Sequence, residues 1–303
     1  MNTRKFVSFV RLSRPTFLIG GIVMYALGAL IARYEGVTIE LPVYVLGQIA
    51  VTSIQLMGHY FNEYWDVEGD RITPNRTFFT GGSGVLPAGE ISRRTAFLAA
   101  AVCLFVGSAA MLGLSTWFGA NAASLMIFVL GLAGVWSYSG PPLRLSGSGF
   151  GELVVALMVS LLVPSLGYQL QRGHFGYLVV LAAAPLVAIN WLMLILFELP
   201  DVEADRTASK HNLVVRLGYR RTQWLVTIMI IGGFGLLAGL SLGGLPRLAT
   251  LGLLVLPLAL PITVLVRRVV SGRLVRYFWL TFGAVAMFAL MAILETLGIF
   301  LSA

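Results

Sequence analysis

The chain has 303 residues, of which 58% are hydrophobic and only 11% charged, and its mean hydropathy is +0.88. One soluble core cannot hide that much apolar surface, so a bilayer is expected to be the solvent. The formal charge of +8 comes without a basic run interleaved with aromatics, which argues against nucleic acid as a partner, and the lone cysteine, Cys103, rules out a disulfide framework or a cysteine-based metal site within one chain.

In chain order, Arg4, Lys5, Arg11 and Arg14 precede an apolar stretch that carries no convincing small-residue cleavage site, so it reads as a first span and not as a signal peptide. Stretches long enough to cross roughly 30 Å of hydrocarbon fall at 16–34, 41–65, 94–115, 119–138, 150–171, 177–200, 222–243, 248–266 and 277–301. No linker separates these nine, and residues 1–303 read as one all-α domain, a polytopic bundle of nine transmembrane helices. With the N-terminus cytoplasmic, 18 of the 21 Lys and Arg fall on the inner side, leaving Arg33, Arg172 and Arg247 outside. That is the bias expected of cytoplasmic loops, so the reading is a multi-pass protein of the cell (inner) membrane. The two long inward connections, 66–93 and 201–221, also hold most of the acidic residues, and chemistry is expected there.

The second stretch ends in a polar stripe. At about 100° per residue, Gln55, His59, Asn62, Asp66 and Asp70 share one helix face, while Glu68 points elsewhere. Carboxylates four residues apart on a helix stand about 5–6 Å from one another and can share a cation that also touches a ligand oxygen. Mg²⁺ suits such a pair, because it is usually held by one or two carboxylates plus substrate phosphates. Alone, the stripe is equally well a helix end emerging into water, with Arg71 and Arg76 as ion-pair partners.

The sixth stretch ends the same way. Asn190, Glu198, Asp201 and Asp205 share a face and Glu203 points away, with Pro200 expected to disturb the helix. Two acidic stripes facing one cavity would repel unless cations sat between them, and a Mg²⁺-bridged diphosphate satisfies both. Arg76, Arg206 and Lys210 are the nearest direct donors for its oxygens by sequence.

Asn62-xxx-Asp66-xxx-Asp70 and Asp201-xxx-Asp205, each closing an even-numbered span of nine, resemble the two aspartate-rich signatures of the UbiA superfamily of intramembrane prenyltransferases. Arg14-Pro15-Thr16, Tyr138-Ser139-Gly140-Pro141-Pro142, Gly151-Glu152-Leu153 and Lys210 with Leu213-Val214-Val215-Arg216-Leu217-Gly218 extend the likeness over nearly the whole chain. The second acidic motif is most similar to the branch that prenylates 1,4-dihydroxy-2-naphthoate in menaquinone synthesis. The resemblance implies transfer of a polyprenyl group from its diphosphate to an aromatic acceptor, with release of diphosphate. It implies that Asn62, Asp66, Asp70, Asp201 and Asp205 organise Mg²⁺ and diphosphate, that Arg76 and Lys210 contact phosphate oxygens, and that Tyr138 offers an aromatic face to the developing cation. Tyr138 read by itself is equally an interfacial belt tyrosine.

His59, Asn190 and Glu198 are further pocket candidates, each with a structural alternative. Gly81-Gly82-Ser83-Gly84 could wrap phosphate with backbone donors but reads more simply as a turn, and Glu295, a lone acid deep in the last stretch, could face the cavity or hydrogen-bond a neighbouring helix. Other acceptors compatible with the same fold are 4-hydroxybenzoate, a lipid alcohol or a porphyrin derivative. A divalent-cation or small-molecule transporter is a reading of another class, disfavoured because the acids cluster at helix ends and not at the bilayer midplane.

Overall fold

A computed structural model describes residues 3–72, 76–207, 210–273 and 275–303, and among them the regular structure is entirely helical. Nine helices among the described residues are long and apolar enough to cross a membrane: Pro15–Tyr34, Leu41–Arg71, Arg93–Phe118, Ala122–Ser139, Gly151–Arg172, Tyr177–Asp201, Leu213–Leu242, Arg247–Val270 and Tyr277–Ser302, called spans one to nine below. They coincide with the stretches expected from hydropathy, except that span two runs on to Arg71 and that span seven carries a lead-in from Leu213, set off from the rest of the helix by a break at Gly218 (φ 70°, ψ 166°). Asn212 caps this short lead-in by accepting from the Val215 N–H at 2.9 Å.

Spans one, six, seven, eight and nine enclose the larger apolar core, which includes Met24, Leu27, Ile31, Leu186, Ile189, Leu192, Phe234, Met287 and Met291. Spans two, three and four build two smaller clusters around Tyr60, Phe61, Ala100 and around Ala50, Met111, Phe128. Large side chains such as Phe105, Trp117, Ile231 and Leu254 point outward and are exposed over most of their surface. That inversion is stable only where the surroundings are hydrocarbon, and the chain is accordingly a multi-pass membrane protein.

Breaks in the helices have local causes. Pro164 has no N–H to give to the carbonyl four residues back, and span five widens into a π turn at Met158–Leu162. Pro200 likewise ends the α-helix of span six at Glu198. A 3-10 turn, Leu199–Asp201, and a short helix, Val202–Thr207, follow. An amphipathic helix, Thr3–Ser13, precedes span one and packs on span two.

Spans one and five approach so closely that a Cβ on Gly28 would strike the Pro164 carbonyl and the Tyr168 N–H. Without a hydrophobic drive between helices in lipid, such small-residue contacts carry the association. Gly28→Ala should therefore lower the thermal midpoint of the detergent-solubilised protein by several degrees, in line with roughly 1–3 kcal/mol for overpacking. Gly232→Ala, where a Cβ meets nothing within 4 Å, should leave it unchanged.

Candidate active site

Spans two and six end at the same face of the bundle, and the segments beyond them close over a cavity of about 140 Å³. That is roughly ten times what one water requires, so a polyatomic ligand fits. Asn62, Asp66 and Asp70 line it from span two, Glu198, Asp201 and Asp205 from span six and its continuation, with Tyr138, Arg14 and Lys210. Glu68 and Glu203 are exposed and paired with Arg71 and Arg206, each at i+3. On span two, which is one continuous helix, this follows from helical periodicity; beyond Pro200 the break in the helix decides it.

The lining holds five carboxylates, Asp66, Asp70, Glu198, Asp201 and Asp205, against two cations, Arg14 and Lys210. Arg14 is already matched: its Nη2 donates to buried Glu63 Oε1 at 2.7 Å. Asn62 steadies Asp66 by donating to its Oδ2 at 2.9 Å. Asn212, fully buried, donates from Nδ2 both to Glu198 Oε2 at 2.6 Å and to Asp205 Oδ2 at 2.7 Å. Asp201 keeps Oδ1 buried with no hydrogen bond from any described residue. Burial raises Asp205 above the ordinary carboxylate range, with Lys210 opposing the shift. Lys210 shows the converse. Burial pulls its pKa down, but Asp66, Asp205, Glu198 and Asp70 together lift it above the usual lysine value, so it is cationic at neutral pH. Its Nζ lies 3.9 Å from Asp205 Oδ1 and close to span two at Gly69.

No three of His, Cys, Asp and Glu converge on one point among the described residues. The oxygens are spread around the cavity wall, an arrangement suited to a hard cation that completes its shell with ligand oxygens and water, as Mg²⁺ does.

The structure does not bring every expected residue into the cavity. Arg206 turns to solvent because Glu203, one turn back, takes its Nη1 at 3.1 Å. Arg76 stands on the far side of Asp70, donating to the Asp70 carbonyl at 2.6 Å and lining a shallower depression with Arg71, Gly84 and Pro87. His59 hydrogen-bonds the Ser13 carbonyl at 2.9 Å, and buried Asn190 donates to Ser160 Oγ at 2.9 Å beside the π turn. Both satisfy backbone or side-chain groups between helices and leave the cavity to Glu198. Glu295 is fully buried in span nine, away from the cavity, with no hydrogen-bond partner among the described residues.

Conversely, the glycine-rich segment belongs to the site. Gly81 and Gly82 line the cavity with Phe79 and Thr80, and a Cβ on Gly82, whose φ is 72°, would collide with the Asp70 carboxylate. Glu63 holds this segment by accepting from Ser83 N at 2.6 Å and Ser83 Oγ at 2.8 Å while it holds Arg14. The only sequence signals were the glycines themselves and the Arg14-Pro15-Thr16 likeness.

A nine-span helical bundle among the described residues, with a polar, carboxylate-lined chamber at one end, defines the class: a polytopic membrane protein with a candidate site at the bundle's end. Residues 21–282 match the UbiA prenyltransferase family, and the chain belongs to it. It is accordingly a membrane prenyltransferase. Among relatives, the 1,4-dihydroxy-2-naphthoate octaprenyltransferase of Bacillus subtilis (strain 168) is 22% identical over 237 residues, 77% of this chain and 73% of its own. A UbiA homologue from Archaeoglobus fulgidus bound to DMAPP and Mg²⁺ superposes with a TM-score of 0.67 at 20% identity, over 97% of this chain and 99% of that one. A digeranylgeranylglyceryl phosphate synthase superposes with a TM-score of 0.63 at 18% identity, over 98% and 99%.

Glu63 ties Arg14, Ser83 and thereby two connections to span two. Glu63→Ala leaves the Arg14 guanidinium without its buried counter-charge and should destabilise the protein by roughly 3–5 kcal/mol, read as a fall in thermal midpoint in detergent. The exposed-pair variant Glu68→Ala should change it by less than about 1 kcal/mol.

Proposed function

We propose that this chain transfers a polyprenyl group from polyprenyl diphosphate to an aromatic acceptor, 1,4-dihydroxy-2-naphthoate, in menaquinone synthesis, with Mg²⁺ as cofactor. The observation that carries the reading is the excess of five carboxylates over two cations around one cavity, with Lys210 reaching in among them. Carboxylates gathered in a partly dehydrated chamber repel one another unless cations accompany a ligand there. A diphosphate with Mg²⁺ is such a ligand, and the solved relative bound to DMAPP and Mg²⁺ supports that choice. The acceptor follows the Bacillus subtilis relative, whose name specifies it.

Asp66, Asp70, Asp201 and Asp205 would hold Mg²⁺, which when bound supplies the positive charge that makes diphosphate a good leaving group. Asn62 fixes Asp66, and Asn212 fixes Asp205 and Glu198, so the oxygens are in place before substrate arrives. Lys210 contacts phosphate oxygens directly, and Arg14 stands at the same wall. Tyr138 lines the same cavity, and its ring would stabilise the allylic carbon as it becomes electron-poor. The positive bias of the connections at this end supports a cytoplasmic site and N-terminus.

The purified protein, given a polyprenyl diphosphate, Mg²⁺ and 1,4-dihydroxy-2-naphthoate, should release diphosphate and form a prenylated naphthoate. Asp66→Ala and Asp201→Ala should each lower kcat/KM by roughly 10²–10³-fold, the scale of losing one transition-state charge contact. Release that survives both substitutions rules out this site. Product with 4-hydroxybenzoate or a lipid alcohol, and none with the naphthoate, reassigns the acceptor.

Arg206→Ala should stay within about twofold of the parent, because its partner is the exposed Glu203. Lys210→Ala should raise KM for the diphosphate substrate by roughly tenfold or more.

A further inference from the structure

Phe79 belongs to the connection between spans two and three, yet its ring is set among rings from three spans. Phe17 of span one meets it edge-on with centroids 6.1 Å apart, Phe197 of span six stacks on it at 6.4 Å and 12°, and Phe282 of span nine lies at 6.5 Å. Phe17 and Phe197 in turn meet edge-on at 6.2 Å. Phe79 and Phe197 both line the acidic cavity, beside Asp70 and Asp201.

The segment that carries Phe79 is pinned on both sides. Thr77 Oγ1 pairs with Thr80 Oγ1 at 2.9 Å and lies 3.5 Å from Thr281 Oγ1 of span nine. Further on, Gly82 lies against Asp70, and Ser83 is held by Glu63. The segment thus brings an apolar ring, stacked on that of Phe197, to a cavity whose other lining includes five carboxylates, Asn62, Tyr138, Arg14 and Lys210. Its neighbour Phe78 is 68% exposed and does not line the cavity.

Resting on the prenyl-transfer reading, the geometry points to Phe79, stacked on Phe197, as the wall that keeps water from C1 of the bound prenyl group and so sets the partition between transfer and hydrolysis. When the C1–O bond breaks, its electron pair leaves with the diphosphate. C1 then takes an electron pair from the acceptor's ring carbon, which loses its proton. Water offers the competing route: its oxygen bonds to C1, a proton passes to solvent, and prenyl alcohol forms in place of the prenylated acceptor. Both routes release one diphosphate and differ only in what reaches C1. An aromatic wall excludes the small nucleophile, and its ring face favours the positive charge on carbon.

The full-length protein, supplied with polyprenyl diphosphate, Mg²⁺ and acceptor in isotope-labelled water, gives a readout independent of overall rate: the ratio of labelled prenyl alcohol to prenylated product by mass spectrometry. Phe79→Ala should raise that ratio roughly tenfold, equivalent to a shift in partition of one decade. Phe79→Leu, which keeps apolar bulk, should stay near the parent, as should Phe78→Ala. Should Phe79→Ala fail to accumulate in the membrane, Phe79→Val must show a rise in the same direction. An unchanged ratio in the smaller variants, with product still forming, overturns the proposal and leaves the prenyl-transfer reading intact. A parent protein that consumes no prenyl diphosphate under any acceptor defeats the prenyl-transfer reading instead.

Discussion

The constraint on which the rest of this structure depends is the crowding of like charge at the end of a helical bundle. Asp66, Asp70, Glu198, Asp201 and Asp205 share one cavity wall in a protein whose solvent is hydrocarbon along most of its length. Carboxylates so placed lose water and repel one another. Two arrangements hold them: amides from Asn62 and Asn212 that fix individual oxygens, and cations, of which Lys210 and the already matched Arg14 line the cavity among the described residues. The remaining imbalance suits a ligand that brings divalent cations with it, and membership of a prenyltransferase family gives that ligand a chemical class.

Backbone breaks convert two parallel helix ends into a chamber. Span six cannot continue as an α-helix through Pro200, so Leu199–Asp201 tightens to a 3-10 turn and Asp205 is carried round to the same wall as Glu198, where one Asn212 amide bonds both. On the opposite side, Gly82 must be glycine twice over: its φ of 72° is unfavourable for other residues, and the space where a Cβ would stand is taken by Asp70. Glu63 then locks that segment to Arg14 at the start of span one. Positioning groups of this kind are held by packing and by hydrogen bonds within a rigid bundle, which keeps the geometry fixed before substrate binds.

Properties that depend on one helix at a time were legible without coordinates. Nine apolar stretches follow from the length needed to cross a bilayer, and the division of the span-two acids into inward Asp66 and Asp70 and outward Glu68 follows from helical periodicity. Cations were harder to place. Arg206 and Lys210 lie four residues apart in the same connection, but Arg206 has Glu203 one turn behind it, whereas Lys210 follows the end of the short helix and reaches back among the carboxylates. His59 and Asn190 carried the correct helix face and still miss the cavity, since neighbouring segments of the chain at Ser13 and Ser160 reach them first.

The sequence by itself determined the class of solvent, the number of spans, the two acidic faces and a family likeness, because hydropathy and helical phase are local and repeat along the chain. Tertiary structure alone decided which cations join those acids, that the glycine-rich segment closes over them, and that Phe79 from that segment stacks on Phe197 of a span more than a hundred residues away. Contacts between distant segments depend on how helices pack and where proline and glycine turn the chain, and no periodicity within a single segment records either.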